Sequence, residues 1–265
     1  MKKTYCPKTR QHQKKTHLFT IASFFFLLLA ISNLQAQILF EQAWGEILKT
    51  RKTHEGEVLA VSSVFSDSKR IYLYDMAGRR LVGLDTLGRM QNAVRLQSIG
   101  RRTYVGDDFV VKGSEAIFLN TVDKKLEIFD VATGHRTRSI TYPLRYFSHE
   151  KKRRHRIINR IFLDGDQIVL GNTHRLFYLD PGMKKAAARG ALSAPAEKKI
   201  VLFGGEKAPV FRSNEMLHRG DRKFKMLHSR IPVPGKRYFF VNDRLYGIEM
   251  DSTGLRLRMV AGEDE

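Results

Sequence analysis

Cysteine is nearly missing from this chain: its 265 residues include one, Cys6. That residue precedes an apolar run, so it cannot be the lipid-bearing cysteine at a leader's cleavage point. Once such a leader is removed no thiol is left, which excludes a disulfide framework, a thiol nucleophile and a thiolate metal site. Acids are scarce as well, with 27 Asp and Glu against 47 Lys and Arg and a formal charge of +20. No His-Glu-x-x-His zinc helix and no Gly-x-Ser-x-Gly elbow is present, and Gly204-Gly205 lacks the flanking pattern of a phosphate-cradling loop. A triad can assemble from distant residues, so these gaps do not exclude an enzyme. They leave no positive motif for one, and no cofactor or metal site is expected.

Long hydrophobic runs are lacking too. The longest, Leu18 to Ile31, spans about fourteen residues, short of the roughly 20 that cross a bilayer as a helix. Ahead of it stand Lys2, Lys3, Lys8, Arg10, Lys14 and Lys15 with no acid, and Leu34-Gln35-Ala36 behind it has the form of a small-residue cleavage site. The layout is that of a signal peptide over residues 1–36, which predicts an exported chain, periplasmic or secreted, with no transmembrane segment after cleavage. Residues 37–265 number 229, a length that fits a single large β domain as well as two small ones, and stability must come from burial. Removing the six basic residues of the leader from +20 leaves +14 on that domain.

What the chain does have is repetition. Arg70 to Gly78 reads RIYLYDMAG: a base, alternating apolar residues, an acid, then a turn closing on Gly. Related stretches run from Lys125 to Gly134 (KLEIFDVATG), Arg175 to Gly182 (RLFYLDPG) and Arg244 to Gly254 (RLYGIEMDSTG). Each follows another strand-like run across a turn, the pattern of a hairpin. Polar strands are predicted next at Arg79 to Leu84, His135 to Tyr142 and Leu255 to Val260. Their Arg80, Arg138, Arg256 and Arg258 would discourage edge-to-edge pairing on an outer edge. Between the third and fourth stretches lie a low-complexity segment, 183–199, read as a surface loop or short helix, and a further possible hairpin around Gly220-Asp221.

The IYLYDMAG and LEIFDVATG runs, with their two looser copies, resemble the NHL-like and six-bladed-type β-propeller repeat proteins that bacteria export. The resemblance covers about residues 58–260 and implies an all-β ring of four-stranded antiparallel blades. It also implies that an early strand near Ile38 to Phe40 completes the last blade. The repeated acids stand 55, 50 and 69 residues apart, and a blade takes about 40 to 50 residues, so four to six blades fit, with five fitting best. Such rings usually serve as binding platforms, and some are hydrolases or lyases.

Asp75, Asp130, Asp180 and Glu249 are read as structural turn acids that accept backbone N–H bonds. Convergence of the four on a Ca²⁺ ion is the weaker reading. The sharpest basic feature is Lys151, Lys152, Arg153, Arg154 and Arg156, followed by Arg160. Crowded positive charge of this kind favours a polyanion, so these six residues are the candidate anion-binding set. Behind an export signal nucleic acid drops out, leaving an anionic glycan, lipopolysaccharide, lipid head group or protein as partner. A second basic group, Lys223 and Lys225 with their neighbours, alternates with Phe224 and Met226 and reads as an ordinary strand. Trp44 reads as a packing residue. The leading expectation is a non-catalytic binding module with a basic surface. The alternative is an exported propeller hydrolase or lyase acting on polysaccharide or a small ester, which would require a His and two acids within hydrogen-bond reach at one mouth of the ring.

Overall fold

Short strands follow one another along the chain and pair in sets of four. The computed structural model describes residues 38–45, 47–53, 55–98, 105–142, 158–171, 176–180, 182, 186–187, 198–202 and 209–262. The expected leader therefore falls outside the described residues, and no helix among those described is long and apolar enough to cross a membrane.

Chain order begins with β1 (Ile38–Ala43) and a small ribbon of β2 (Arg51–Lys52) and β3 (Val58–Leu59). The first blade is β4 (Val61–Ser66), β5 (Arg70–Asp75), β6 (Arg80–Asp85) and β7 (Met90–Arg95). A second follows with β8 (Asp108–Lys112), β9 (Glu115–Asn120), β10 (Lys125–Asp130) and β11 (Arg136–Thr141). In the third, β12 (Arg160–Asp164), β13 (Gln167–Gly171) and β14 (Leu176–Leu179) end on the two-residue β15 (Ala186–Ala187). The fourth holds β16 (Lys199–Leu202), β17 (Val210–Ser213), β18 (Met216–Arg219) and β19 (Arg222–Lys225). The fifth has only β20 (Tyr238–Val241), β21 (Arg244–Met250) and β22 (Gly254–Met259) from its own end of the chain, and β1 supplies its outer strand. The protein is a five-bladed β-propeller closed by its N-terminal strand, so the expected early strand and blade number both match the observed pairing.

Within the low-complexity segment, Ala186 and Ala187 pair with Leu179 and Tyr178 as an edge strand. The possible hairpin around Gly220-Asp221 belongs to a complete fourth blade. Two features differ from the repeat as read in the sequence. Inner strands begin at Val61, Asp108, Arg160, Lys199 and Tyr238, 39 to 52 residues apart, yet the four look-alike stretches do not occupy equivalent positions. Those at Arg70 and Arg244 form second strands, whereas those at Lys125 and Leu176 form third strands. Second and third strands are both buried on two faces and both end in a tight turn, so their local sequences converge and the intervals of 55, 50 and 69 become irregular. Similarly, Arg80, Arg256 and Arg258 lie on third strands covered by β7 and β1, and of the four only Arg138 stands on an outer edge.

Apolar side chains meet between neighbouring blades. The seam of blades one and two is aromatic: Tyr74 meets Phe118 edge-on at 4.8 Å and Phe109 stacks on Phe118 at 5.2 Å. Trp44 packs at the seam of blades five and one, and its Nε1 donates to Asp251 O at 2.9 Å. Lys236, three per cent exposed, pins the axis. Its Nζ donates to Asp108 Oδ1 at 2.7 Å, to Ile161 O at 2.8 Å and to Phe109 O. Asp108 in turn accepts from Ser63 Oγ at 2.5 Å and from Ile161 N at 3.0 Å. The lead-in to blade five is thereby tied to blades one, two and three at once. The adjoining Gly235 admits no larger residue, because a Cβ there would lie 2.6 Å from Ser63 Cβ and from Asp107 O.

Lys236→Met leaves a buried carboxylate without its counter-charge, and the expected loss of stability is about 3–5 kcal/mol. Urea unfolding of the two proteins measures it. Adding Asp108→Leu does not restore the wild-type midpoint, because the Ile161 N–H then loses its acceptor at a cost of about 1–3 kcal/mol.

Candidate functional site

The two mouths of the ring have different chemistry. Where inner strands begin, a cleft of about 530 Å³ is lined by Lys49, Arg51, Arg79, Arg80 and Arg95, with Glu57 and Asp107 as its acids. Where inner strands end, a cavity of about 710 Å³ is walled by Phe65, Phe162, Phe239 and Phe240, with Asp67 and Asp243 among the residues of its turns. Lys236 contributes to this second cavity, but its ammonium protons are already donated within the hub.

Local structure explains how the cations gather at the first mouth. Arg79 ends the β5–β6 turn with φ of +52°, and its carbonyl accepts from Leu96 N at 2.8 Å while its Nη1 donates to Ser98 Oγ at 2.5 Å. Arg80 opens β6 and donates to Ile47 O at 3.4 Å. Arg95 closes β7, and Lys49 and Arg51 come from the segment that follows β1. Among the described residues Lys49, Arg51, Arg79 and Arg95 make no ion pair. The strand arginines are different: Arg136 pairs with Glu127 at 3.3 Å, Arg138 with Glu115 at 2.9 Å and Arg256 with Glu41 at 2.6 Å. Four of the cleft's five cations thus lack, among the described residues, the ion pairs that these three strand arginines have.

Beneath the cleft lies Asp75, fully buried. It accepts from Gly78 N at 2.9 Å and from Lys49 N at 3.3 Å, so one carboxylate fixes two of the cleft's walls. Burial pushes this carboxyl up to about 6, against the pull of those two N–H donors and of Arg80. Gly78 is needed above it, since a Cβ there would lie 2.2 Å from Asp75 Oδ2.

The other turn acids divide in two. Asp130 accepts from Thr133 N and Thr133 Oγ1, each at 2.8 Å, and these bonds hold its carboxyl below the ordinary range. Asp180 follows β14 at the equivalent place, while Glu249 sits inside β21 and pairs with Arg258 at 3.6 Å. In that blade the turn is closed by Asp251, which accepts from Thr253 N at 2.7 Å and Gly254 N at 3.2 Å. The reason is that β21 runs one residue past Glu249, so the acid that meets the turn's N–H groups lies further on. Because successive turns of a sheet lie at opposite ends, Asp75 and Asp130 do not share a face. No group of three or more His, Cys, Asp or Glu among the described residues could hold a metal ion.

Of the candidate anion-binding residues, Lys151, Lys152, Arg153, Arg154 and Arg156 lie outside the described residues. Arg160 begins β12 and donates to Pro234 O at 2.8 Å, and Pro234 itself lines the basic cleft. Sequence reasoning overlooked the cleft, whose cations are spread in ones and twos between Lys49 and Arg95 rather than crowded into a run.

No protein-family model matches the chain, and no curated protein matches it in sequence. Among solved structures it is similar to streptogramin B lyase, with a TM-score of 0.40 and 13% identity over 82% of this chain and 74% of that one. Similarity to Myxococcus xanthus glutaminyl cyclase has a TM-score of 0.38 and 11% identity over 85% of this chain and 90% of that one. For BamB from Moraxella catarrhalis the TM-score is 0.33 with 12% identity, covering 83% and 85%. At such identities no activity is transferred to this chain, and the ring architecture stands on the strand pairing described above.

The raised Asp75 gives stability a definite pH dependence. Between pH about 4 and 6 the folded protein keeps a proton that the unfolded chain has released, so stability falls as pH rises through that window and levels off above it. A shift from 3.8 to about 6 corresponds to a contribution of at most roughly 3 kcal/mol. Unfolding curves of wild type and Asp75→Asn at the two ends of the window are expected to differ by up to that amount, the variant lacking the fall.

Proposed function

We propose that this propeller is an exported, non-catalytic binding module of the NHL-like repeat kind, which captures an anionic partner at the mouth where its inner strands begin. The observation behind this reading is the cleft of about 530 Å³ with five cations against two acids, four of the cations having no ion-pair partner among the described residues. Uncompensated cations in a concave, low-dielectric wall attract anions more strongly than the same charges on a convex surface. The basic run from Lys151 to Arg156 leads into β12 at Arg160, whose guanidinium bonds to the cleft residue Pro234. The partner is an anionic glycan, lipopolysaccharide, lipid head group or protein, and the leader over residues 1–36 delivers the module to the periplasm or beyond.

A hydrolase or lyase would need the His and two acids named above. Among the described residues lining the two mouths there is no His. His135 lines a smaller pocket that shares Arg79 and Arg95 with the cleft.

Retention on heparin and on a lipopolysaccharide resin tests the reading. Counterion release predicts affinity that falls linearly on logarithmic axes as salt rises, with the slope reduced by about one for each contact removed. Arg51→Gln with Arg95→Gln, and separately Lys152, Arg153 and Arg154→Ala, are each expected to elute earlier than wild type. Retention that ignores both salt and these substitutions would refute an anionic partner.

A further inference from the structure

The charge balance of the cleft narrows the kind of anion it holds, on the reading just given. Among the described residues that line it, Lys49, Arg51, Arg79, Arg80 and Arg95 exceed Glu57 and Asp107 by three charges. Asp75, ionised above about 6 and seated under Gly78, lowers the excess to two. A ligand that neutralises this site brings about two negative charges into one compact volume. A phosphate monoester has about −1.5 to −2 at neutral pH, whereas a sulfate ester or a carboxylate has about one, which leaves the cleft half compensated.

Geometry points the same way. Four of the five cations are arginines, whose planar forks match paired oxygens on a tetrahedral anion. They come from separate segments, the β2 strand, the β5–β6 turn and the end of β7, so they converge on a cavity. A linear polyanion would be matched by a stripe of charge along one element. Arg79 closes the β5–β6 turn in the left-handed region, with φ of +52°, as Lys124 closes the β9–β10 turn with φ of +56°, so its backbone belongs to the turn and its side chain alone bears on the cleft.

We propose that the cleft is a receptor for a phosphate monoester, supplied either by a phosphorylated soluble molecule such as a sugar phosphate or by a lipid whose head group ends in one. Lys49, Arg51, Arg79 and Arg95 contact the phosphoryl oxygens. Arg80 and Asp75 hold the walls in place through Ile47 and Gly78.

Calorimetric titration at about pH 7.5, where the second phosphate ionisation near 6 is complete, compares methyl phosphate with methyl sulfate. Methyl phosphate is expected to bind about tenfold more tightly or better. Arg79→Gly removes one cation while relieving the left-handed backbone, so it is expected to unfold no earlier than wild type and still to weaken methyl phosphate about tenfold. Arg95→Gln is expected to act alike. Vesicles of phosphatidic acid, set against vesicles of phosphatidylglycerol, separate the two sources: preferential capture by phosphatidic acid together with weak methyl phosphate binding assigns a lipid, and strong methyl phosphate binding without vesicle capture assigns a soluble ester. Equal affinity for methyl phosphate and methyl sulfate overturns the monoester assignment, even where heparin retention still depends on Arg51 and Arg95. If Arg79→Gly and Arg95→Gln change neither phosphate binding nor heparin retention, the cleft itself is refuted as the anion site.

Discussion

A ring of twisted sheets places an edge strand of every blade along its axis, and the backbone groups on those inner edges have no neighbouring strand to pair with. Buried and unpaired, each would destabilise the fold. Lys236 and Asp108 answer this need with side chains. The ammonium takes the carbonyls of Phe109 and Ile161, the carboxylate takes Ile161 N, and the two meet at 2.7 Å. Burial alone pulls the lysine's pKa down, and the adjoining carboxylate opposes that pull. An ion pair in such a place is weak evidence of net stabilisation, but it is directional. It ties the lead-in of the last blade to the first three in one arrangement, which apolar contacts between seams could not specify.

This hub also takes charge out of the aromatic cavity. Among the described residues, the one lysine lining that cavity has all its protons committed to acceptors. At the opposite mouth the connections between blades deliver Lys49, Arg51 and Arg95 beside the β5–β6 turn, and their acids are fewer than their cations. Elsewhere some cations are met by cross-strand acids, as Arg136 is by the buried Glu127.

Asp75 joins the fold to that end. A carboxylate kept from water yet bonded to Gly78 N and Lys49 N holds together a turn and a distant segment, both of which wall the cleft. The same burial raises its pKa, because the two N–H donors only partly replace the water it has lost. Structure and electrostatics of the cleft thus depend on one side chain that no ligand would touch.

Much of the architecture was legible in the linear chain, because strand burial and turn chemistry are local. Ile71 and Leu73 alternate with Tyr72 and Tyr74 as a doubly buried strand must, and Asp130 meets the N–H groups of its own turn within three residues. The five blades follow from the spacing of such signals, whereas the closing strand near Ile38 was implied by the resemblance to exported propeller repeats. Equivalence between repeats was not legible: second and third strands obey the same local rules, so Asp75 and Asp130 look alike in sequence yet close turns at opposite ends of their sheets. Nor could the cleft be read, since its cations are separated by up to 46 positions, from Lys49 to Arg95. The amino-acid order determined strands, turns and their number, which depend on neighbours a few residues apart. Only the closed ring decided which charges stand together without partners, because that depends on contacts between residues far apart in the chain.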